Sequence, residues 1–294
     1  MRPPSAKDLA PPDQRITADR QEVKYRVDGA RVDDLIAALN RQMPRHRFVG
    51  EGANALPDPQ HFATTVYFDT QTRGLYRAAA ADINHNMKLR VREYYDLHPS
   101  LVELATDPGQ IVRYQPWVWF ELKLRRQDAT TKERVRLLKR DLPGFLAAIS
   151  PGGDGAGAAA RDLGAAAALS TPDGDSGDAA QIIADACRGL HDPLAASCLV
   201  NYRRLSWQTP DGELRVTVDR QLAFFAPPAD LWRREQTWLR STLGPARGTE
   251  TGGLLEIKHR AALPPWIAET LSSVAASAVP FSKFVAASAA VGRS

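Results

Sequence analysis

The chain has 294 residues, 44% apolar and 24% charged, a size and balance that allow a buried core without disulfides and exclude a disordered chain or an α-helical membrane protein. No apolar run approaches the roughly 18 residues needed to span a bilayer, and the Pro-rich start from Met1 to Arg15 has no secretory h-region, so a cytoplasmic protein without direct membrane insertion is expected. A formal net charge of +4 is too weakly basic to mark a nucleic-acid binder, and Cys187 and Cys198, with no second pair or His cluster beside them, read as buried inert thiols.

Taken in chain order, residues 1–15 form a loose tail, because Pro3, Pro4, Pro11 and Pro12 break any regular element. A single domain is expected over 16–294. In Glu22–Val27, Val23, Tyr25 and Val27 point one way while Glu22, Lys24 and Arg26 point the other, the period of a strand. Asp33–Met43 sets Val32, Leu35, Ile36 and Leu39 on one helical stripe, which Pro44 ends. Further on, Lys88, Arg90 and Arg92 alternate with Leu89 and Val91, and Glu121, Lys123 and Arg125 alternate with Phe120, Leu122 and Leu124. Lys132, Arg134 and Arg136 continue the pattern.

A Gly/Ala/Asp-rich stretch at about 150–178 reads as a flexible insertion; its Gly-Gly-Asp-Gly-Ala-Gly run has no leading strand and no Gly-Lys-Ser/Thr ending, so it is not a phosphate loop. A helix is expected over Gln181–Leu190 and another from Pro265 to about Ala276. Between them, Asn201 and Arg203 alternate with Val200 and Tyr202. Arg215, Thr217 and Asp219 alternate with Leu214, Val216 and Val218, and Glu256 and Lys258 with Leu255 and Ile257. Tyr67 and Phe68 read as core, Asp69 as a turn cap, and Trp117, Trp119, Trp232, Trp238 and Trp266 as packing residues.

Any one of these strands could turn its charges to water. Together, with Glu-x-Lys at Glu22/Lys24, Glu121/Lys123 and Glu256/Lys258, they point to strands whose charged sides face a common lumen. Converging, desolvated cations repel at a cost of several kcal/mol unless an anion accompanies them, and a chain of phosphates is the anion whose oxygens suit arginine forks and lysine point charges. The glutamates either pair with neighbouring lysines or hold Mg²⁺ or Mn²⁺ that bridges phosphate oxygens.

The order of these segments resembles the VTC (vacuolar transporter chaperone) polyphosphate polymerase domain, a branch of the triphosphate tunnel metalloenzymes, which also include the CYTH-type triphosphatases. Glu22-Val23-Lys24-Tyr25, Thr65–Thr70 with its Tyr-Phe-Asp-Thr ending, Lys88–Arg92, Phe120–Lys123, Asn201–Arg204, Leu214–Asp219, Leu255–Lys258 and Phe281-Ser282-Lys283-Phe284 stand in family order. The resemblance implies an α+β fold: an antiparallel closed β-barrel with a charged lumen and helices packed outside.

It also implies triphosphate contacts from Lys24, Arg90, Arg92, Lys123, Arg203, Arg215, Lys258 and Lys283, joined by Lys88 and Lys132, with Arg90, Arg92, Lys123, Arg203 and Arg215 closest to the chemistry. The divalent metal, Mn²⁺ or Mg²⁺, falls to Glu256, with Glu22 and Glu121 as further carboxylates. The implied partners are ATP or another nucleoside triphosphate and inorganic polyphosphate, not nucleic acid. The family's phosphate-sensing domain and membrane segment have no counterpart in the sequence, which leaves membrane anchoring to a partner protein. Transfer of a terminal phosphoryl group to a growing chain is the leading activity. Hydrolysis of tripolyphosphate or a nucleotide, and polyphosphate binding without turnover, stay open beside it.

Overall fold

The structure is a computed structural model that describes residues 21–46, 61–81, 85–96, 117–126, 129–150, 176–233 and 238–292. The tail at 1–15 and most of the insertion at 150–178 lie outside the described residues.

The alternating segments form strands, as their period requires: β1 (Gln21–Val27), β2 (His61–Thr70), β3 (His85–Asp96), β4 (Trp117–Arg126), β5 (Ala129–Leu138), β6 (Leu194–Gln208), β7 (Leu214–Phe225), β8 (Gly248–Thr249), β9 (Gly253–His259) and β10 (Ser277–Ala278). Among the described residues six α-helices join them: α1 (Val32–Gln42), α2 (Gly74–Ala80), α3 (Leu142–Ile149), α4 (Ser176–Arg188), α5 (Pro265–Ser273) and α6 (Lys283–Val291). The fold is therefore α+β with one large antiparallel sheet, in the order β10-β1-β9-β7-β6-β2-β3-β4-β5, with β8 on the side of β7.

The closed barrel needs one correction. Among the described residues no hydrogen-bonded ladder joins β5 to β1 or β10, so the sheet is open at the level of the main chain. Its ends nevertheless approach through side-chain charge. β1 and β4 stand six steps apart, about 29 Å in a flat sheet at about 4.8 Å per strand. Yet Lys24 of β1 acts electrostatically on Lys123 of β4 and on Lys88 of β3. Only a strongly curled sheet brings those groups within reach of one another.

The outer face carries most of the strands' apolar side chains and is covered by helices. Val66, Phe68, Leu89, Val91, Phe120, Leu122 and Val135 form the larger core with Phe145 and Ile149 of α3 and Ala180, Ile183 and Cys187 of α4. A second core sets Val32, Leu35 and Leu39 of α1 and Ile267 of α5 against Leu205, Trp207, Val216, Val218, Leu255 and Ile257. Burying one such side chain is worth about 1.5–3 kcal/mol. Burial also pushes the thiols of Cys187 and Cys198 up to about 12, which keeps them inert as expected.

One polar cluster sits within the larger core. The Glu93 carboxylate meets Lys139 Nζ at 2.6 Å and accepts the main-chain N–H of Trp238 at 2.7 Å, while the Lys139 ammonium lies 4.4 Å from the Trp238 ring centroid. Thr64 Oγ1 donates to the Trp238 carbonyl at 2.6 Å, and Asn201 Nδ2 donates to Thr64 and to Tyr95. This cluster fastens the chain around residue 238 to β2, β3 and β6.

Asp69 acts as a cap, and does so at a distance. Its carboxylate accepts the N–H groups of Thr70, Leu75 and Tyr76 at 2.8, 2.9 and 3.0 Å, which satisfies the start of α2. Close main-chain approach where β1 leaves and β9 enters depends on Gly252, because a Cβ there would overlap the Val27 carbonyl oxygen. Gly252→Ala is expected to cost about 1–3 kcal/mol, read as a fall in the denaturant midpoint without loss of secondary structure.

Candidate functional site

Strand pairing turns the alternation into rows on the inner face. Across β3, β4 and β5, Lys88 stands opposite Lys123 and Lys123 opposite Lys132; the next row is Arg90, Glu121 and Arg134, and the one after it Arg92, Trp119 and Arg136. Across β1, β9 and β7, Lys24 faces Glu256 and Glu256 faces Thr217, while Glu22 faces Lys258 and Lys258 faces Arg215. Eight of the residues singled out from the sequence, Lys24, Lys88, Arg90, Arg92, Lys123, Lys132, Arg215 and Lys258, thus share one face of the sheet.

The ninth, Lys283, arrives from a helix. It opens α6, whose first turn is capped by Ser282 Oγ accepting from the Val285 N–H at 3.4 Å. This helix lies against the inner face over the central strands, where Phe284 stacks on Tyr67 of β2 at 5.1 Å and Ser288 meets the Cys198 thiol of β6. Arg73 holds its far end through the Ser288 carbonyl at 2.8 Å. Lys283 Nζ reaches Asp219 at 2.6 Å and lies 4.9 Å from the Tyr202 ring centroid.

Arg203 is placed differently from the expectation. It pairs with Arg220, whose guanidinium bonds Asp33 of α1 on the outer side, whereas Arg204 pairs with Asp219 and bonds it twice, at 2.6 and 2.7 Å. Arg204, not Arg203, therefore shares the inner face with Asp219. The register shifts between Asn201 and Arg203, where β7 carries Gln221 in the left-handed region at φ 55°. Asn201 correspondingly points outward, to Thr64 and Tyr95.

The glutamates fall into two kinds. Glu121 bonds Arg90 at 2.6 Å and Lys132 at 2.7 Å; burial opposes its charge, but Arg90, Lys132 and Arg92 outweigh it and hold the carboxyl well below the usual range. Glu22 and Glu256 form the other group. Their charges repel, and both carboxylates contact Lys258, at 3.5 and 3.1 Å, while Glu22 also takes Lys24 at 2.8 Å. For Glu256, burial raises the pKa, yet Lys258, Lys24, Arg204 and Lys283 hold it well below the carboxylate range.

Among the described residues no three His, Cys, Asp or Glu side chains converge as a ready metal cage. The Glu22–Glu256 pair still fits a hard divalent ion, since Mg²⁺ and Mn²⁺ are commonly held by one or two carboxylates plus substrate phosphate oxygens and water. Glu121, engaged by Arg90 and Lys132, stands apart from that pair.

Cations outnumber acids on this face, and Lys88 feels it most. Burial first, then Lys123, Lys24, Arg90 and Arg125, push its ammonium down to about 8. A bound polyanion would restore the charged form, so tripolyphosphate affinity is expected to weaken as pH rises from 7 to 9, as the Lys88 proton is lost near about 8. Calorimetry in buffers of different ionisation enthalpy should show proton uptake on binding above pH 8, and Lys88→Met should remove it.

The model of a family described as the VTC domain matches residues 19–291. No curated protein matches the chain. Among solved structures, a Bacillus halodurans protein assigned as an adenylate cyclase shares 16% identity, covering 90% of this chain and 96% of its own, at a TM-score of 0.44. A Hippeastrum protein assigned as an adenylyl cyclase and described as having a dominant triphosphatase activity shares 12% identity, covering 90% of this chain and 92% of its own, at a TM-score of 0.40.

Proposed function

Because the chain belongs to the VTC domain family, we propose that it is a polyphosphate polymerase, moving the terminal phosphoryl group of a nucleoside triphosphate onto a growing phosphate chain. The observation that carries this reading is the lysine row Lys88, Lys123 and Lys132, set side by side on the inner face. Like charges directly opposite one another destabilise a sheet, and a phosphate chain lying along the row removes that cost.

Lys24, Lys123, Lys258 and Lys283 hold phosphate oxygens as point charges, and Arg90, Arg92 and Arg215 offer guanidinium donors that fix their direction. Glu22 and Glu256 would hold a divalent ion, Mn²⁺ or Mg²⁺, which supplies further neutralisation of phosphate charge when bound. The acceptor is a phosphate oxygen that arrives already ionised, so no side chain has to remove a proton. That requirement suits the site: Glu121 and Glu256 are held well below the carboxylate range and are weak bases at neutral pH. A hydrolase drawing a proton from water would want a carboxyl or imidazole poised nearer 7.

Purified protein given ATP and Mn²⁺ is expected to form an acid-stable phosphate polymer. Stoichiometric orthophosphate without chain growth would put hydrolysis in its place. Tight polyphosphate binding that ignores chelator and Glu256→Gln, with no turnover, would mark a binding module.

A further inference from the structure

Of the tryptophans with described side chains, Trp207, Trp232, Trp238 and Trp266 each join one of the two apolar cores. Trp119 joins neither, although packing was expected of it. It is half-buried on the inner face, in the parity of Glu121 and Lys123, with Arg92 opposite it on β3 and Arg136 opposite it on β5. The Arg134 guanidinium lies 4.1 Å from its ring centroid, so a flat group already fits against the indole.

A large aromatic side chain on a charged inner wall, surrounded by arginines and absent from both cores, is the composition of a stacking platform for a base attached to phosphates. We propose that Trp119 is the nucleobase subsite, on which the purine of the incoming nucleoside triphosphate stacks while its phosphates run along β3 and β4 toward Arg90 and the lysine row. This rests on the nucleoside triphosphate reading above and names the part of the substrate that the phosphate-binding residues do not touch. Stacking reads the π-face and not the hydrogen-bonding edge, so ATP and GTP should bind alike and pyrimidine nucleotides more weakly.

The test compares binding of ATP and of inorganic tripolyphosphate, by calorimetry, to wild type, Trp119→Leu and Trp119→Tyr. Trp119→Leu should weaken ATP by roughly ten-fold while tripolyphosphate stays within about two-fold, and Trp119→Tyr should recover most of the loss. Equal losses for both ligands, or no loss for ATP, would overturn the subsite. Wild type that binds tripolyphosphate but not ATP would overturn it too while leaving the phosphate site standing. Wild type that binds neither would instead remove the proposed function itself.

Discussion

Arg90→Ala is expected to lower kcat/KM for ATP by about 10²–10³-fold, the usual scale for deleting one charged donor aimed at developing phosphate charge in a water-poor site. The reason lies in its position. Arg90 stands between Tyr67 and Glu121 across its two neighbouring strands, with its Nε bonded to Glu121 at 2.6 Å and Nη1 at 3.5 Å from the Tyr67 hydroxyl. Its removal takes away a phosphate fork and leaves the buried Glu121 with Lys132 as its short ion-pair partner. Glu121 would then swing toward the remaining lysines and compete with phosphate for them. Arg90→Lys should recover little, since one ammonium cannot hold the carboxylate and a phosphate in the same fork geometry. Steady-state kinetics on both variants, with circular dichroism to show that the sheet is intact, checks this.

The largest effect on stability is expected at Lys139→Met, about 3–5 kcal/mol, because it leaves Glu93 buried without its cation. The pair is held against desolvation and not by it: burial raises the Glu93 pKa and lowers that of Lys139, while each partner pulls the other back. Both side chains are almost wholly enclosed, at 0% and 3% exposure, so solvent cannot replace the missing partner. An acid whose folded pKa is raised loses stability as pH climbs from its unfolded value to its folded one. Lys139→Met should therefore be least stable above that window and regain part of the loss on acidification. A Glu93→Leu, Lys139→Met double variant should be far closer to wild type than the single change, as urea titrations would show.

The strands of the site were legible because charge and period coincided. Lys88–Arg92, Phe120–Arg125, Leu214–Asp219 and Leu255–Lys258 each carry an apolar set and a charged set at period two, and each is a strand with its charges on the inner side. The helix at α1 was legible from its stripe and from Pro44. α6 was not, because Lys-Phe-Val-Ala-Ala-Ser-Ala-Ala-Val has no polar face to set a period, being packed against the sheet through Phe284, Ala287 and Ser288. α2 escaped notice for another reason: its first N–H groups are satisfied by Asp69, before the helix and outside the usual capping position.

Arg203 and Arg204 show the limit of counting by twos. Alternation holds along β6, so Asn201 and Arg203 do share a face, but it is the outer one; Tyr202, an apolar member of the pattern, stands with Arg204 on the inner side, and period alone does not say which face is which. The adjacent arginines were the only trace in the sequence. Asp219, which ties Arg204 to Lys283, was legible as an inner-face residue; its partners belong to another strand and to a helix more than sixty positions on, and became visible only in three dimensions.

Soaking crystals with tripolyphosphate and Mn²⁺ tests the central claim most directly. Phosphate density along Lys88, Lys123 and Lys132, with an anomalous peak between Glu22 and Glu256, is the result expected. Anion found only on the outer face, beside Arg203 and Arg220, with the inner wall unchanged, would contradict it.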